Sequence, residues 1–253
     1  MIATSQGERY RDFYAKGRSL RWAFRFDVHY RVRRMHEVLV QLGLPVANLD
    51  VLDVGFGDGS MLASFPKSCS VTGVDVSQSG VDAAKRDPRF AHYRQARFEV
   101  VKDDDFDGLP QAQFDLLLSS HMLEHVSDDA AYLRAFYDRL RRGGHLLLFV
   151  PIEEPDYIHY HRRNYSLQSV AERVSQAGFD LRLVEGSMYV NGGIWKLLTI
   201  PSRRNWPVFK PLVDGLRMAS LTALTYPGIR FADAQLYRLG LGARQAFVVA
   251  RKP

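Results

Sequence analysis

Short apolar runs, bounded by glycine or charged residues, alternate along the chain with segments in which apolar residues recur at helical spacing. The first pattern predicts buried β-strands and the second predicts amphipathic helices. Strands that alternate with helices are typical of an α/β fold with a mostly parallel sheet. The hydrophobic pattern therefore predicts an α/β fold before any motif is considered.

Seven apolar runs predict seven strands, and the segments between them predict helices. The strands are expected at 51–54, 70–75, 98–101, 114–119, 145–150, 179–184 and 245–251. The helices are expected at 30–42, from 60 to 65 onward, and at 78–86, 128–140 and 166–176. Residues 141–144, with the sequence Arg-Arg-Gly-Gly, are expected to close the fourth helix. Ser166 is expected to cap the fifth helix and Gly178 to end it.

The length of 253 residues suits a single domain, 1–253, with two appended segments. We assign 1–48 to an N-terminal helical segment, 49–186 to the core and 245–253 to the last strand. Residues 187–244 are too many for a plain loop, so they are predicted to form a helical insertion or lid.

The chain carries no sign of secretion or membrane insertion. Cys69 is the only cysteine, as expected in a reducing compartment where disulfides do not persist. No apolar run reaches the roughly 18 residues of a transmembrane helix, and the first residues lack the apolar stretch of a signal peptide. We therefore expect a cytoplasmic protein, either free or at the inner face of the membrane.

The net charge of +6 is distributed unevenly. Residues 1–49 carry 9 basic and 4 acidic side chains, 50–186 carry 15 and 22, and 187–253 carry 10 and 2. The acidic centre favours a cationic ligand, whereas the basic ends favour an anionic acceptor or surface.

A glycine-rich turn follows the first predicted strand. Asp53, Gly55, Gly57 and Gly59 form the pattern Asp-x-Gly-x-Gly-x-Gly. Such a turn lets a ligand approach the backbone closely, and its leading acid suits an ammonium group better than a pyrophosphate. Ser60 stands where a dinucleotide fingerprint needs glycine, which disfavours a nicotinamide-dependent dehydrogenase. The alternative is a bare turn between a strand and a helix.

Asp75 ends the second predicted strand, 22 positions after Asp53. A carboxylate at this place can accept hydrogen bonds from both hydroxyls of a ribose. An aspartate after a strand is also common as a turn or cap residue, so the functional interpretation depends on the neighbouring glycine turn.

Together these motifs resemble the class I S-adenosylmethionine-dependent methyltransferases of the small-molecule and glycan type. The resemblance runs from about residue 49 to 178, through LDVLDVGFGDG, VTGVDVS, DDDFDGLPQAQFDLLLSSHMLEHVSD, LRRGGHLLLFVPIEEP and HRRNYSLQSVAERVSQAGF. It implies a Rossmann-like, doubly wound, mostly parallel seven-stranded sheet with helices on both faces. It also implies S-adenosylmethionine as the cofactor and in-line transfer of its methyl group, which we expect to reach a hydroxyl of a small molecule or of a sugar in a glycan.

The resemblance assigns cofactor contacts residue by residue. Asp53 and the glycine turn would hold the methionine part, Asp75 the ribose, and Val76 would pack on the adenine. An acid after the third strand would face the adenine amino group, and this is Asp105 or, one register away, Asp104. The assigned cofactor residues are Asp53, Gly55, Gly57, Gly59, Asp75, Val76, Asp105, Phe106, Ser120 and His121, the last two near the sulfonium and the acceptor.

Histidines are the candidate catalytic bases, because imidazole titrates close to neutral pH. The candidates are His121, His125, His159 and His161. The last two belong to a His/Tyr/Arg run after the fifth strand, where this fold places ligands. The same run also fits a solvated loop before the next helix.

His121, Glu124 and His125 also match His-x-x-Glu-His, an inverted zinc-protease motif. That motif needs a continuous helix, whereas this segment straddles a predicted strand end, which disfavours a protease. In some relatives the resemblance implies a divalent metal here, but His121 replaces the first acidic ligand, and we predict no metal. Glu124 and His125 would then cap the following helix.

The basic ends leave several interpretations open. Residues such as Arg31, Arg203 and Arg204 could contact phosphate or carboxylate groups, and Trp195 with its apolar neighbours could cover an acceptor pocket or touch a membrane surface. A solvated positive face is the simpler interpretation. Nucleic acid is not the expected partner. Residues 119–122 lack the Asn/Asp-Pro-Pro-Tyr/Phe motif of base amino-methylating enzymes, which argues only against enzymes that methylate adenine or cytosine amino groups. An RNA methyltransferase and a non-catalytic cofactor-binding module remain the alternatives.

Overall fold

The structure, a computed structural model, describes residues 25–105, 107–152, 161–188, 190, 215–216, 218–219, 221–222, 224–239 and 244–253. The strands are β1 (Asp50–Val54), β2 (Ser70–Asp75), β3 (Gln95–Val100), β4 (Phe114–Ser120), β5 (Leu140–Pro151), β6 (Asp180–Ser187) and β7 (Gln245–Arg251). The helices are α1 (Phe26–Gln41), α2 (Gln78–Lys85), α3 (Asp129–Arg139), α4 (Leu167–Gln176) and α5 (Tyr226–Arg238), with one-turn 3₁₀ helices at Leu62–Ser64 and Pro88–Phe90.

The seven strands form one sheet in the order β3-β2-β1-β4-β5-β7-β6. The first five strands are parallel, and β7 runs antiparallel to both β5 and β6. The strand order reverses between β1 and β4, and ligands of such sheets bind outside the carboxyl ends of the strands at this reversal. The predicted doubly wound, mostly parallel sheet is confirmed.

Helices cover both faces of the sheet. On one face, Met35 of α1 and Val81 of α2 pack into a core cluster, and on the other Phe136 of α3 and Val174 of α4 pack into a second. All four side chains are fully buried. Burying each stabilises the fold by about 1.5–3 kcal/mol, so the two clusters hold the helices against the two faces of the sheet.

The predicted helix after the glycine turn is wrong. Only the single 3₁₀ turn Leu62–Ser64 forms, and Phe65 is already extended at φ −76° and ψ 154°. Pro66 explains the early stop, because the residue before a proline is disfavoured in the α conformation.

The predicted end of α3 also needs correction. Residues 141–144 belong to β5 and do not cap the helix. The cation at the helix end is Lys252, whose amine donates to the carbonyls of Tyr137 at 2.8 Å and Leu140 at 2.9 Å. A cap supplied from the far end of the chain leaves no local sequence signal.

The predicted caps of α4 are confirmed. The Ser166 hydroxyl accepts a hydrogen bond from the Ser169 backbone N–H. The Ser169 hydroxyl accepts one from the Ser166 backbone N–H, and the two bonds form a capping box. Gly178 follows the helix at φ +98°, a conformation that favours glycine.

The two appended segments are described only in part. Residues 1–24 and most of 187–244 lie outside the described residues; α1 lies within 1–48 and α5 within 187–244. The division of the chain into segments stays a prediction. None of the helices in the described ranges has both the length and the apolar character needed to cross a membrane.

Candidate active site

The glycine turn after β1 lies at the carboxyl edge of the sheet and adopts a backbone that only glycine tolerates well. Gly55, Gly57 and Gly59 have φ values of +77°, +59° and +69°. A Cβ on Gly55 would lie 2.8 Å from Cγ of Met122, in the loop after β4. The turn is therefore closely packed against the segment that carries the histidines.

Asp53, one residue before the end of β1, is a buried acid beside this turn. Its side chain is 1% exposed, and its Oδ1 accepts no hydrogen bond from the described residues. Burial, together with the charges of Asp75 and Asp58, raises the pKa of Asp53 well above its ordinary value. An ammonium group would supply both the missing donor and the missing positive charge.

Asp75, the last residue of β2, is bonded to the same turn. Its Oδ2 accepts from the Gly57 backbone N–H at 3.0 Å, and its Oδ1 accepts from the Ser77 N–H at 2.9 Å. Burial raises the pKa of Asp75, and these two N–H bonds oppose that rise. Each carboxylate oxygen keeps a further lone pair that could accept a ribose hydroxyl, and the half-buried Val76 follows directly.

The two acids after β3 make different contacts. Asp104 accepts from the backbone N–H of Ser127 at 2.7 Å, which ties this loop to the loop after β4. Asp105 closes its own turn by accepting from the Gly108 N–H at 2.8 Å through Oδ1. The assignment of Asp105 to the cofactor stays a prediction, and Phe106 lies outside the described residues.

His121 follows Ser120, the last residue of β4, and occupies a strained backbone position. Its φ is +54°, which is uncommon for a residue with a side chain. Its backbone N–H donates to the carbonyl of Phe149 at 2.8 Å, and its Nε2 lies 2.9 Å from Oε1 of Gln245. Backbone strain of this kind is frequent at functional sites.

Gln245 and Arg31 are site residues that the sequence analysis did not assign to the histidine cluster. Oε1 of the buried Gln245 also accepts from Nη1 of Arg31 at 3.4 Å. Because a guanidinium can only donate, this bond orients the amide and makes Nε2 of His121 a donor too. No sequence signal links residues 31, 121 and 245, which only the fold brings together.

Glu124 is a fully buried acid between two histidines. Its Oε1 lies 3.5 Å from Nδ1 of His121 and 4.0 Å from Nε2 of His125. Burial alone would raise the pKa of Glu124, but the hydrogen bond and charge of His121 and the charge of His125 lower it, and the net shift is downward. The predicted capping role is wrong, because the cap of α3 is Asp128, which accepts from the Ala131 N–H at 2.8 Å.

The loop before α4 brings His161 to the same place. The Arg162 backbone N–H donates to the Glu124 carbonyl at 2.8 Å, and Nη1 of Arg163 donates to the Val126 carbonyl at 2.7 Å. These bonds bring the His161 ring against the His125 ring, with 4.8 Å between centroids. His159, the fourth predicted histidine, lies outside the described residues.

The segment from His121 to His125 is not helical. A zinc-protease motif needs both histidines on one face of a continuous helix. The structure therefore gives no support to a protease, in agreement with the sequence analysis.

Comparison with known protein families and curated proteins gives consistent matches. The model of a family described as "Methyltransferase domain" matches residues 27–184. The ubiquinone biosynthesis O-methyltransferase of Ruegeria pomeroyi is 32% identical over 104 residues, 40% of each chain. The enzyme of the same name from Marinobacter nauticus is 26% identical over 201 residues, 77% of this chain and 73% of the relative. The chain thus spans 40% of the first relative's length and most of the second's.

Solved structures share the fold at low identity. A chain of the Haloferax volcanii complex between the Trm112 methyltransferase activator and a methyltransferase matches with a TM-score of 0.64 and 18% identity, over 98% of both chains. The magnesium protoporphyrin IX methyltransferase of Synechocystis PCC 6803, solved with bound SAH, matches with a TM-score of 0.56 and 19% identity, over 72% of this chain and 87% of that one. Because the identity of these matches is low, they establish the fold of the chain and nothing further about it.

Proposed function

Since the chain belongs to the family of methyltransferase domains, whose model covers residues 27–184, we propose that it transfers a methyl group from S-adenosylmethionine to a hydroxyl of a small molecule. The observation that carries the cofactor assignment is the pair of buried acids at the glycine turn. Asp53 lacks a hydrogen-bond donor at Oδ1, and Asp75 holds the turn through Gly57. An ammonium and a ribose, separated along one ligand, match these two acids.

The remaining cofactor contacts follow from the positions of the predicted residues. Val76 would pack on the adenine, Asp105 and Phe106 would lie at its amino group, and Ser120 and His121 would lie near the sulfonium. The acidic character of this part of the chain favours a cationic ligand.

The reaction is an in-line displacement at the methyl carbon. The acceptor oxygen attacks the methyl group of the sulfonium, the carbon–sulfur bond breaks, and a neutral thioether leaves with the electron pair. The leaving group is already activated, so the main contribution of the protein is to hold the oxygen in line with that bond. The proton of the acceptor hydroxyl must also leave, and the histidine cluster lies at this edge of the sheet.

The acceptor binds over the edge that His121, His125 and His161 line. The matched relatives are named as O-methyltransferases, and this supports an oxygen as the methyl acceptor. That oxygen belongs to a free small molecule or to a sugar of a glycan. His121 is the side chain proposed to contact it, because it is one-third exposed at the end of β4 and its ring is fixed by Gln245.

The helix α5 and the residue after it carry exposed apolar and basic side chains. Phe231 is 68% exposed and Leu239, which follows the helix, is 72% exposed, and Arg238 at the end of the helix is also exposed. This surface supports an anionic acceptor or a peripheral contact of a cytoplasmic protein with the membrane. Co-sedimentation with vesicles of anionic phospholipid, compared between the wild type and Phe231→Ser, tests the membrane contact.

Isothermal titration with S-adenosylmethionine tests the cofactor, and transfer of labelled methyl from it to catechols and to sugars tests the acceptor. We expect binding that Asp75→Ala weakens strongly, and label on oxygen. Absence of binding by the wild type, or equal binding by Asp75→Ala, would contradict the proposal.

A further inference from the structure

We propose that Arg89 is a positioning residue for the glycine turn, and that its guanidinium substitutes for the helix that would otherwise hold this turn. Arg89 lies in the one-turn 3₁₀ helix Pro88–Phe90, between α2 and β3. The inference rests on the proposed function, because the turn is the proposed site for the methionine part of the cofactor.

The chain after the glycine turn forms less helix than such turns usually have. A turn of this kind commonly opens a helix, whose backbone N–H groups face the ligand. Here Leu62–Ser64 forms a single 3₁₀ turn, and Phe65 is already extended. One turn cannot supply the hydrogen-bond ladder of an α-helix, so the carbonyls of the glycine turn need other donors.

Arg89 donates to a carbonyl that a continuing helix would have bonded. In an α-helix that began at the turn, the Asp58 carbonyl would accept from the N–H four residues further on. In this structure Nη2 of Arg89 donates to that carbonyl at 2.6 Å, and Nη1 donates to the Ser60 hydroxyl at 3.5 Å. A hydrogen bond from a charged group is stronger than one from a backbone N–H.

The guanidinium is itself held in place by Asp87. Its Nε and Nη2 donate to Oδ2 of Asp87 at 2.9 and 2.7 Å, and the Arg89 backbone N–H donates to Oδ1 at 2.9 Å. The side chains of Arg89 and Asp87 are 24% and 15% exposed, so water competes with these bonds only in part. The donor that reaches the turn is therefore preorganised.

Phe90, the next residue, packs against the same turn. Its side chain is buried, and its ring meets the Phe98 ring of β3 edge-on with 4.7 Å between centroids. A Cβ on Gly59 would lie 2.9 Å from Cζ of Phe90. The Pro88–Phe90 segment thus contacts the turn through a charged donor and through an apolar ring.

Asp75 and Arg89 hold neighbouring parts of the turn. Asp75 accepts from the Gly57 N–H, and Arg89 donates to the carbonyl of the next residue, Asp58. Together the two bonds orient the peptide groups that precede Gly57 and follow Asp58. A turn that is ordered before binding lowers the cost of ordering it around the ligand. Loss of Arg89 should therefore weaken a ligand that contacts the turn, and spare one that does not.

Titration calorimetry of the full-length protein with two ligands tests this role. S-adenosylmethionine contains the methionine part, whereas 5′-methylthioadenosine keeps the nucleoside and a thioether but has neither the ammonium nor the carboxylate. Arg89→Met removes the donors and keeps an unbranched side chain. It should raise the Kd for S-adenosylmethionine at least about 10-fold and change the Kd for 5′-methylthioadenosine by less than about 3-fold.

Two further variants serve as controls. Arg89→Lys keeps the charge and should restore part of the affinity, because an ammonium lacks the fork that reaches both Asp87 and Asp58. Arg86→Met makes the same substitution at an exposed arginine that ends α2, and should bind both ligands like the wild type. Equal losses for both ligands in Arg89→Met, or no loss for either, would overturn the positioning role.

Amide hydrogen exchange without cofactor separates this role from the proposed function. In Arg89→Met the N–H groups of Gly59 and Ser60 should exchange at least about 10-fold faster than in the wild type, while those of β4 stay unchanged. Unchanged exchange at the turn would contradict the positioning role whether or not the cofactor binds. Faster exchange in a protein whose wild type binds no S-adenosylmethionine would support the positioning of the turn and contradict the proposed function.

Discussion

The carboxylate of Asp75 accepts a hydrogen bond from the backbone N–H of Gly57 at 3.0 Å, so the acid that ends β2 holds the glycine turn that follows β1. One side chain thus connects the carboxyl ends of two neighbouring strands, β1 and β2, next to the reversal of the strand order between β1 and β4. The same carboxylate is the proposed ribose ligand, and this proposal couples the shape of the turn to cofactor binding.

Replacement of Asp75 should therefore weaken the cofactor strongly. A hydrogen bond to a charged group contributes about 1.5–3 kcal/mol, so Asp75→Ala should raise the Kd for S-adenosylmethionine at least about 10–100-fold. Titration calorimetry measures this change. The control is Asp82→Asn, which removes an acid bonded to Gln78 on the surface of α2 and should leave the Kd unchanged.

Gly55→Ala should destabilise the protein more than Gly43→Ala does. Both glycines have positive φ, but a Cβ on Gly43 meets nothing within 4 Å, whereas one on Gly55 would press on Cβ and Cγ of Met122. The conformational cost is about 1–2 kcal/mol at either position, and overpacking adds about 1–3 kcal/mol at Gly55. Urea unfolding measures the free energy of unfolding of the two variants. Equal losses in the two variants would show that the Met122 side chain moves aside without an energetic cost.

Cofactor binding should release protons and strengthen as pH rises. The raised pKa of Asp53 in the free protein means that this carboxyl holds its proton above the ordinary value of 3.8. A bound ammonium favours the ionised form and lowers that pKa, so affinity should rise with pH between the bound and free values and level off above them. Calorimetry in buffers of different ionisation enthalpy measures the protons released, and Asp53→Asn should abolish the release.

The unliganded protein should show the opposite trend from the same group. Because the folded-state pKa of Asp53 is raised, its contribution to stability is greatest below the unfolded-state pKa and is lost as pH rises through the folded value. Asp53→Asn should remove this component of the pH dependence of unfolding. An unchanged pH profile of unfolding in that variant would contradict the assignment.

Gln245 should act as a positioning residue for His121. Gln245→Leu leaves the Nε2 of His121 and the guanidinium of Arg31 without their common acceptor. A displaced reacting geometry can cost up to about 100-fold in rate, so kcat should fall while the Kd of the cofactor stays constant. Gln245→Glu keeps an acceptor oxygen and should restore part of the rate, whereas a merely structural role would change stability in both variants.

Glu185 should anchor α1 and α5 to β6. It accepts from Nε and Nη2 of Arg34, each at 2.7 Å, and from Arg230 of α5 at 3.1 Å. Glu185→Gln leaves the buried Arg34 poorly compensated and should lower the free energy of unfolding by about 1–3 kcal/mol. Asp50→Asn, which weakens exposed pairs with Arg94 and Arg141, should cost less than about 1 kcal/mol.

Local pattern was enough to predict most of the sheet. The predicted bounds of β2 and β7 agree with the structure residue for residue, and the helix of 78–86 differs from α2 by one residue. These elements follow from short-range hydrophobic spacing and from caps such as Ser166, which directly precedes the helix that it starts. The helix after Ser60 was predicted wrongly because Pro66 imposes an extended residue before it, a local effect that the pattern of apolar residues does not contain.

The sequence by itself determined the α/β class, the glycine turn and its two acids, because each is encoded by residues close together along the chain. Only the tertiary structure decided what surrounds the histidines. Gln245 meets His121 across 124 positions, His161 reaches His125 across a loop, and Lys252 caps α3 from the last strand's far end. These contacts depend on which strands become neighbours in the folded sheet, and strand order is set by the packing of the whole core rather than by local sequence.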